Sequence, residues 1–138
     1  MPPDSRLAIV VNPELPLGLL ANTVGAIGIG LGARMPWLGN RPLTDLDGRT
    51  IDDSSTLPVP ILAASPEAIQ ALMLKAMPRA DDSALVVFPA FSRALHDYRE
   101  YEALLPGKRL VEDAIDGLGL CGPAKWVKSL TGSLRLLR

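Results

Sequence analysis

The chain has 138 residues, 48% of them apolar and 21% charged, with a formal net charge of −1. That length and composition fit one globular domain with a core of its own and argue against disorder. One cysteine, Cys121, excludes an internal disulfide and suits a reducing cytoplasm, and together with a single histidine it argues against a zinc site. The near-neutral charge argues against a strongly basic nucleic-acid footprint.

Taken in chain order, "RLAIVV" reads as a strand buried on both faces, ending at Asn12-Pro13. An uncharged run follows from Leu15 to Ala33, near the lower limit for a membrane span. Pro16, Asn22, Thr23 and the glycines speak for a buried helix instead, and Asp4, Pro13 and Glu14 spoil a signal peptide. No membrane association is expected. Within this helix, about Leu17 to Gly32, the residues Leu20, Val24, Ile27 and Leu31 share one face. Gly18, Ala21, Gly25, Gly28 and Gly32 share another, which predicts close approach of a sheet or second helix. The whole helix is expected to be largely buried. "GAIGIGLG" is not a dinucleotide fingerprint, because its glycines lie within the helix rather than in the turn before it.

Asp47-Gly48 predicts a hairpin, and the prolines of "LPVPILAAS" predict an edge strand. Ser65 then caps a helix whose apolar face is Ile69, Leu72, Met73 and Met77. "ALVVF" is a strand, and Ser92 is expected to open a helix with Leu95, Tyr98 and Leu105 inward. "AIDGLGLC" is a last strand, with Gly122-Pro123 turning into a short final helix. The alternation predicts a three-layer α/β/α domain with a four-stranded mixed sheet: Leu7–Val11, Pro60–Ala63, Ala84–Phe88 and Ala114–Cys121.

The ending carries a resemblance. "LGLCGPAKWVKSLTGSLRLLR" is similar to the C-terminus of the archaeal and eukaryotic (type 2) peptidyl-tRNA hydrolases, matching at Gly122, Pro123, Val127, Thr131, Gly132, Leu134 and Leu136. "IVVNPELPLG" resembles that family's opening strand, matching at Val10, Val11, Leu15 and Gly18. Together with "DYREYE", these stretches resemble throughout the bacterial family called domain of unknown function 2000. The resemblance implies the hydrolase fold, with no assigned reaction, and a homodimer, since that fold commonly dimerises.

Hydrolase chemistry is not expected. The hydrolase family's first-helix lysine falls here on Leu19 or Ala21, and its glutamine falls near Asn22 or Thr23. Its Asp-Ala-Gly-Arg-Thr-Gln stretch reads Phe88-Pro89-Ala90-Phe91-Ser92-Arg93, in which only Ser92 imitates the threonine. Without those groups, neither a positioned base nor an oxyanion partner is supplied.

Other polar residues have plain readings. His96 lies among Asp97, Arg99 and Glu100 as a surface histidine, Cys121 reads as a small buried hydrophobe, and Asn22 as a buried amide with a structural partner. Lys125, Lys128, Lys108, Arg109, Arg135 and Arg138 outnumber Glu112, Asp113 and Asp116. A solvated face explains that excess ahead of phosphate or RNA contact. Asp45, Asp47, Asp52 and Asp53 suit turn chemistry as well as a cation site.

Ligands of open α/β sheets favour the crevice beyond the carboxyl ends of the parallel strands, a rule that gathers Asn12, Glu14, Asn22, Ser92 and Arg93 as candidate ligand-binding residues. A small-molecule binder or an enzyme on an unknown substrate is the expectation, with no cofactor and no metal. The alternatives are a non-catalytic dimeric interaction module and a divergent peptidyl-tRNA hydrolase.

Overall fold

A computed structural model describes residues 4–138. The four predicted strands are present, with a fifth beside them. β1 (Ser5–Val11) pairs in parallel with β4 (Ile61–Ala63) and antiparallel with β6 (Ile115–Pro123). β5 (Ala84–Pro89) flanks β6, and β7 (Arg135–Leu136) flanks β4, both antiparallel, so the order is β5-β6-β1-β4-β7. The stretch containing Pro58 and Pro60 is therefore no edge strand. Both prolines precede the first ladder residue, Ile61, which leaves β4 free to pair on both sides. The predicted hairpin forms as β2 (Pro42–Thr44) and β3 (Thr50–Asp52), with Gly48 at φ +81° in its turn.

Three layers result. β1 sends Leu7, Ile9 and Val11 toward helix α1 (Leu17–Arg34), and Ala8 and Val10 toward α2 (Pro66–Ala76) and α4 (Ala124–Thr131). That two-sided burial is why "LAIVV" is a continuous apolar run. α2 starts as the sequence predicts: the Ser65 hydroxyl oxygen accepts from the Ala68 N–H at 3.1 Å, and Ile69, Leu72 and Met73 are buried. Met77 does not join them; it ends the helix, exposed.

Helix α1 departs from expectation. Thr23, Ile27 and Leu31 are buried against the sheet, but the opposite side is open, so the helix is not largely buried. By length and composition it could cross a membrane, and only 17% of it is buried. The close approach is made by the sheet's glycines and not by the predicted helix stripe; on the helix only Gly30, outside that stripe, is tight, its added Cβ lying 3.0 Å from Val86 Cγ1. A Cβ on Gly117 would meet Ile27 Cδ1, Thr23 Cγ2 and the Val10 carbonyl at 3.0 Å, and one on Gly119 would meet Leu31 Cδ1 at 2.8 Å. At Gly18, Gly25, Gly28 and Gly32 an added Cβ meets nothing within 4 Å.

The predicted helix from Ser92 is also revised. A 3-10 turn spans Ala90–Ala94, and a short helix α3 covers Arg99–Leu104, with no buried residue. Ser92 lies inside the turn and caps nothing. The break falls at Leu95, whose backbone is extended; beyond it the Asp97 carboxylate accepts from the Arg99 backbone N–H at 2.9 Å in the turn ahead of α3.

Candidate functional site

β1 and β5 run in the same direction, and β6 starts between their carboxyl ends. A β-bulge marks that start. Phe88 pairs with Gly117 and Pro89 with Ile115, which leaves Asp116 as the extra residue. Bulges re-aim a side chain and bend the strand. The Asp116 side chain is 1% exposed, and both its oxygens accept from Arg93, at 2.6 Å from Nε and 2.8 Å from Nη2. Hydrogen bonding to Asp116 raises the Arg93 pKa further, so this guanidinium stays charged. Arg93 keeps 41% of its side chain exposed, so one end of the pair is sealed and the other meets solvent.

Asn12 joins the same group. Its backbone N–H donates to the Asp116 carbonyl at 2.9 Å, and its Oδ1 accepts from the Glu14 N–H at 3.0 Å. The Glu14 side chain is exposed, and that residue supplies only backbone. Ser92, beside Arg93 in the turn, is 1% exposed, and its Oγ has no hydrogen-bond partner.

A second group lies across α1. Asn22 is exposed rather than buried, and its Nδ2 donates to the Tyr98 hydroxyl at 2.7 Å. Tyr98 in turn meets Phe88 edge-on, with ring centroids 5.5 Å apart. Phe91 turns elsewhere, stacked on Tyr101 with Lys108 Nζ 4.3 Å from its ring centroid. Of the five predicted residues, then, Asn12 and Arg93 meet through Asp116, Glu14 attaches by its backbone, Ser92 is Arg93's neighbour in the turn, and Asn22 belongs to the second group.

Asp116 itself was missed. The sequence places it with Glu112 and Asp113 on a solvated face, whereas the fold buries it. The available signal was a lone carboxylate inside "AIDGLGLC", an otherwise uncharged strand flanked by apolar neighbours, where a charge must find a partner. His96 is exposed as predicted. Cys121 is buried, and burial pushes its thiol up to about 11, so it offers no thiolate near neutrality. Among the described residues no three His, Cys, Asp or Glu side chains are placed to hold a metal ion.

Cavity volume and buried chemistry do not coincide. A cleft of about 230 Å³ lies between Gly28, Leu31 and Gly32 on one side and Leu38, Ser54 and Val59 on the other. Another of about 610 Å³ opens at the start of β1, near Arg6, Leu57 and Pro60. Both are mainly apolar, and neither reaches Ser92 or Asp116. The polar groups mark the candidate site better than the clefts do, since orientation and specificity come from placed polar atoms.

The family model for proteins of unknown function DUF2000 matches residues 5–138. The chain belongs to this family. A solved structure, that of the protein of unknown function Atu0240 from Agrobacterium tumefaciens strain C58, superposes with a TM-score of 0.85 at 17% identity, covering 96% of this chain and 97% of the other. At that identity the likeness shows the fold alone. No curated protein matches the chain. The DUF2000 assignment thus spans both the sheet and the Arg93–Asp116 pair, and it brings no reaction with it.

Proposed function

We propose that this DUF2000 chain binds a small polar molecule at the carboxyl ends of β1 and β5, without chemistry of its own. The observation that carries the reading is the buried Ser92 hydroxyl, which has no partner, in the turn that also supplies a guanidinium fixed by Asp116. A buried hydroxyl left unpaired costs about 1–3 kcal/mol. A ligand that hydrogen-bonds to it would remove that cost and draw binding energy from it. Asp116 neutralises Arg93, so the pair presents directed N–H donors with little net charge, and a neutral or singly charged acceptor suits it better than a polyanion. The reading also rests on the rule for open α/β sheets, which is analogy at the level of the fold.

A finer likeness, to the type 2 peptidyl-tRNA hydrolases, is supported by the motifs at both chain ends and by the order of elements. It brings no ester cleavage here. The places of the family's lysine and aspartate hold Leu19 or Ala21 and Phe88. A bacterial, cytoplasmic setting fits the free cysteine.

The test is a thermal-shift screen against a metabolite library with three proteins: wild type, Ser92→Ala and Arg93→Ala. Ligand-free Ser92→Ala should be more stable than wild type by about 1 kcal/mol, because the orphaned hydroxyl is gone. A true ligand should raise the wild-type melting temperature and leave Ser92→Ala and Arg93→Ala unmoved. A library in which no compound separates wild type from both variants would refute the site.

A further inference from the structure

Two apolar surfaces of this chain lie uncovered, and they adjoin. The first is the outer side of α1. With about 100° between successive residues, Gly18, Gly25 and Gly32 fall on one line opposite the buried Thr23, Ile27 and Leu31. Leu17 and Ile29 flank that line, 81% and 77% exposed. No charge occurs on this helix before Arg34. A helix face meeting water normally carries charge, and each interior glycine costs about 0.5–1 kcal/mol against alanine.

The second surface is the β2–β3 arm. Every residue from Asn40 to Asp52 is exposed. Leu43 and Ile51 pair across the two strands, 46% and 67% exposed, and Leu46 at the tip is fully exposed. A lone two-stranded ribbon is marginal in water, and this one shows its apolar cross-strand pair to solvent. The arm starts beside the helix: Gly39, Ser54 and Ser55 line one cleft together with Gly28 and Gly32.

We propose that the chain pairs with a second copy of itself through these surfaces, the arm of each protomer lying over the glycine line of its partner's α1. Dimensions agree. The arm reaches roughly 20 Å from Arg41 to its tip, at about 3.3 Å per residue. The helix is about 27 Å long. At about 200 Å² for a fully exposed leucine or isoleucine, Leu17, Ile29, Leu43, Leu46 and Ile51 offer roughly 700 Å² per protomer, close to the ~800 Å² per partner of a standard interface. A two-fold arrangement lets the same two surfaces cover each other in both copies at once, with no third surface needed. The arm's charge argues against a lipid occupant: Asp45, Asp47, Asp52 and Asp53 outnumber Arg41 and Arg49, and anionic lipid surfaces attract basic segments. This interface is separate from the Ser92 site and stands or falls independently of it.

Light scattering on the full chain decides the matter. Wild type should give twice 14.7 kDa. Gly25→Glu and Leu46→Asp should each give the monomer mass while keeping a cooperative thermal transition. Both positions tolerate the change in a lone protomer, since an added Cβ at Gly25 meets nothing and Leu46 touches nothing it would lose. Three results would each overturn the proposal: a wild-type mass of 14.7 kDa up to about millimolar chain, a dimer that survives both substitutions, or a monomer that sediments with phosphatidylcholine vesicles and is released from them by Gly25→Glu.

Discussion

The two faces of the sheet are built by opposite rules, and one strand writes both. In β6, Gly117, Gly119 and Cys121 face α1, whereas Leu118 and Leu120 face α2 and α4. On the α1 side the sheet supplies vacancies and the helix fills them with Ile27 and Leu31. On the other side the sheet supplies bulk, and Ile69, Met73 and Val127 pack around it. The outer surfaces differ in the same way: α2 and α4 carry Glu67, Lys75, Lys125 and Lys128 outward, and α1 carries mainly glycine, alanine, Leu17 and Ile29, with Arg34 as its one charge. Two helix layers can thus be equally well seated on a sheet while only one of them is finished for contact with water.

That contrast can be broken by substitution. Leu118→Ala should cost most, about 2–5 kcal/mol in urea unfolding, because it opens a cavity on the face where the sheet provides the volume. Next comes the pH dependence set on the α1 face by Cys121, whose thiol is raised to about 11 from an ordinary 9.0 by burial. A raised thiol contributes stability below its unfolded value and loses it as pH climbs through the folded one. Stability should therefore fall by roughly 2–3 kcal/mol between pH 9 and 11, and Cys121→Ala should flatten that part of the profile. A profile unchanged by the substitution would place the loss on other groups.

The glycines give the smallest and most pointed test. Gly119→Ala should destabilise by about 1–3 kcal/mol, since the new methyl would overlap Ile27 Cγ2 and Leu31, both fully buried with nowhere to go. Gly25→Ala should instead stabilise by about 0.5–1 kcal/mol, measured at a dilution where the chain is monomeric. A destabilising Gly25→Ala beside a neutral or stabilising Gly119→Ala would show that the helix glycines, and not the strand glycines, set the approach.

Much of this architecture is legible in the residues. The Asp47-Gly48 hairpin, the Ser65-Pro66 helix start and the two-sided burial of "LAIVV" follow from local rules that the fold leaves untouched. The misreadings share a cause. Gly18, Gly25 and Gly32 look like a packing face because a stripe shows that something approaches closely without saying whether it belongs to the same chain. Ser92 looks like a cap because capping is local, whereas the turn from Ala90 and the extended backbone at Leu95 break the segment into two short pieces. Asp116 escapes because its partner, Arg93, sits 23 residues earlier, and no pattern of spacing announces that pairing. The closing "LRLL" pairs with β4 only once β4 has been shown to have a free side.

Gln70 and Tyr101 hold down the long connection between β5 and β6. The Gln70 amide donates to the carbonyls of Leu110, Val111 and Asp113 at 3.4, 2.9 and 3.0 Å, and the Tyr101 hydroxyl donates to the Val87 carbonyl at 3.2 Å. Helix α3 within that connection buries nothing, so the connection is held by these two side chains, by the Arg93–Asp116 pair, by Tyr98 on Phe88 and by the rings around Phe91. β5 is an outermost strand, and its unpaired backbone would template the addition of another chain if it were bared. Resistance to aggregation in this protein thus rests on a few polar and ring contacts, the Gln70 amide and the Tyr101 phenol among them, that fasten a cover over a sheet edge and can be lost by local opening.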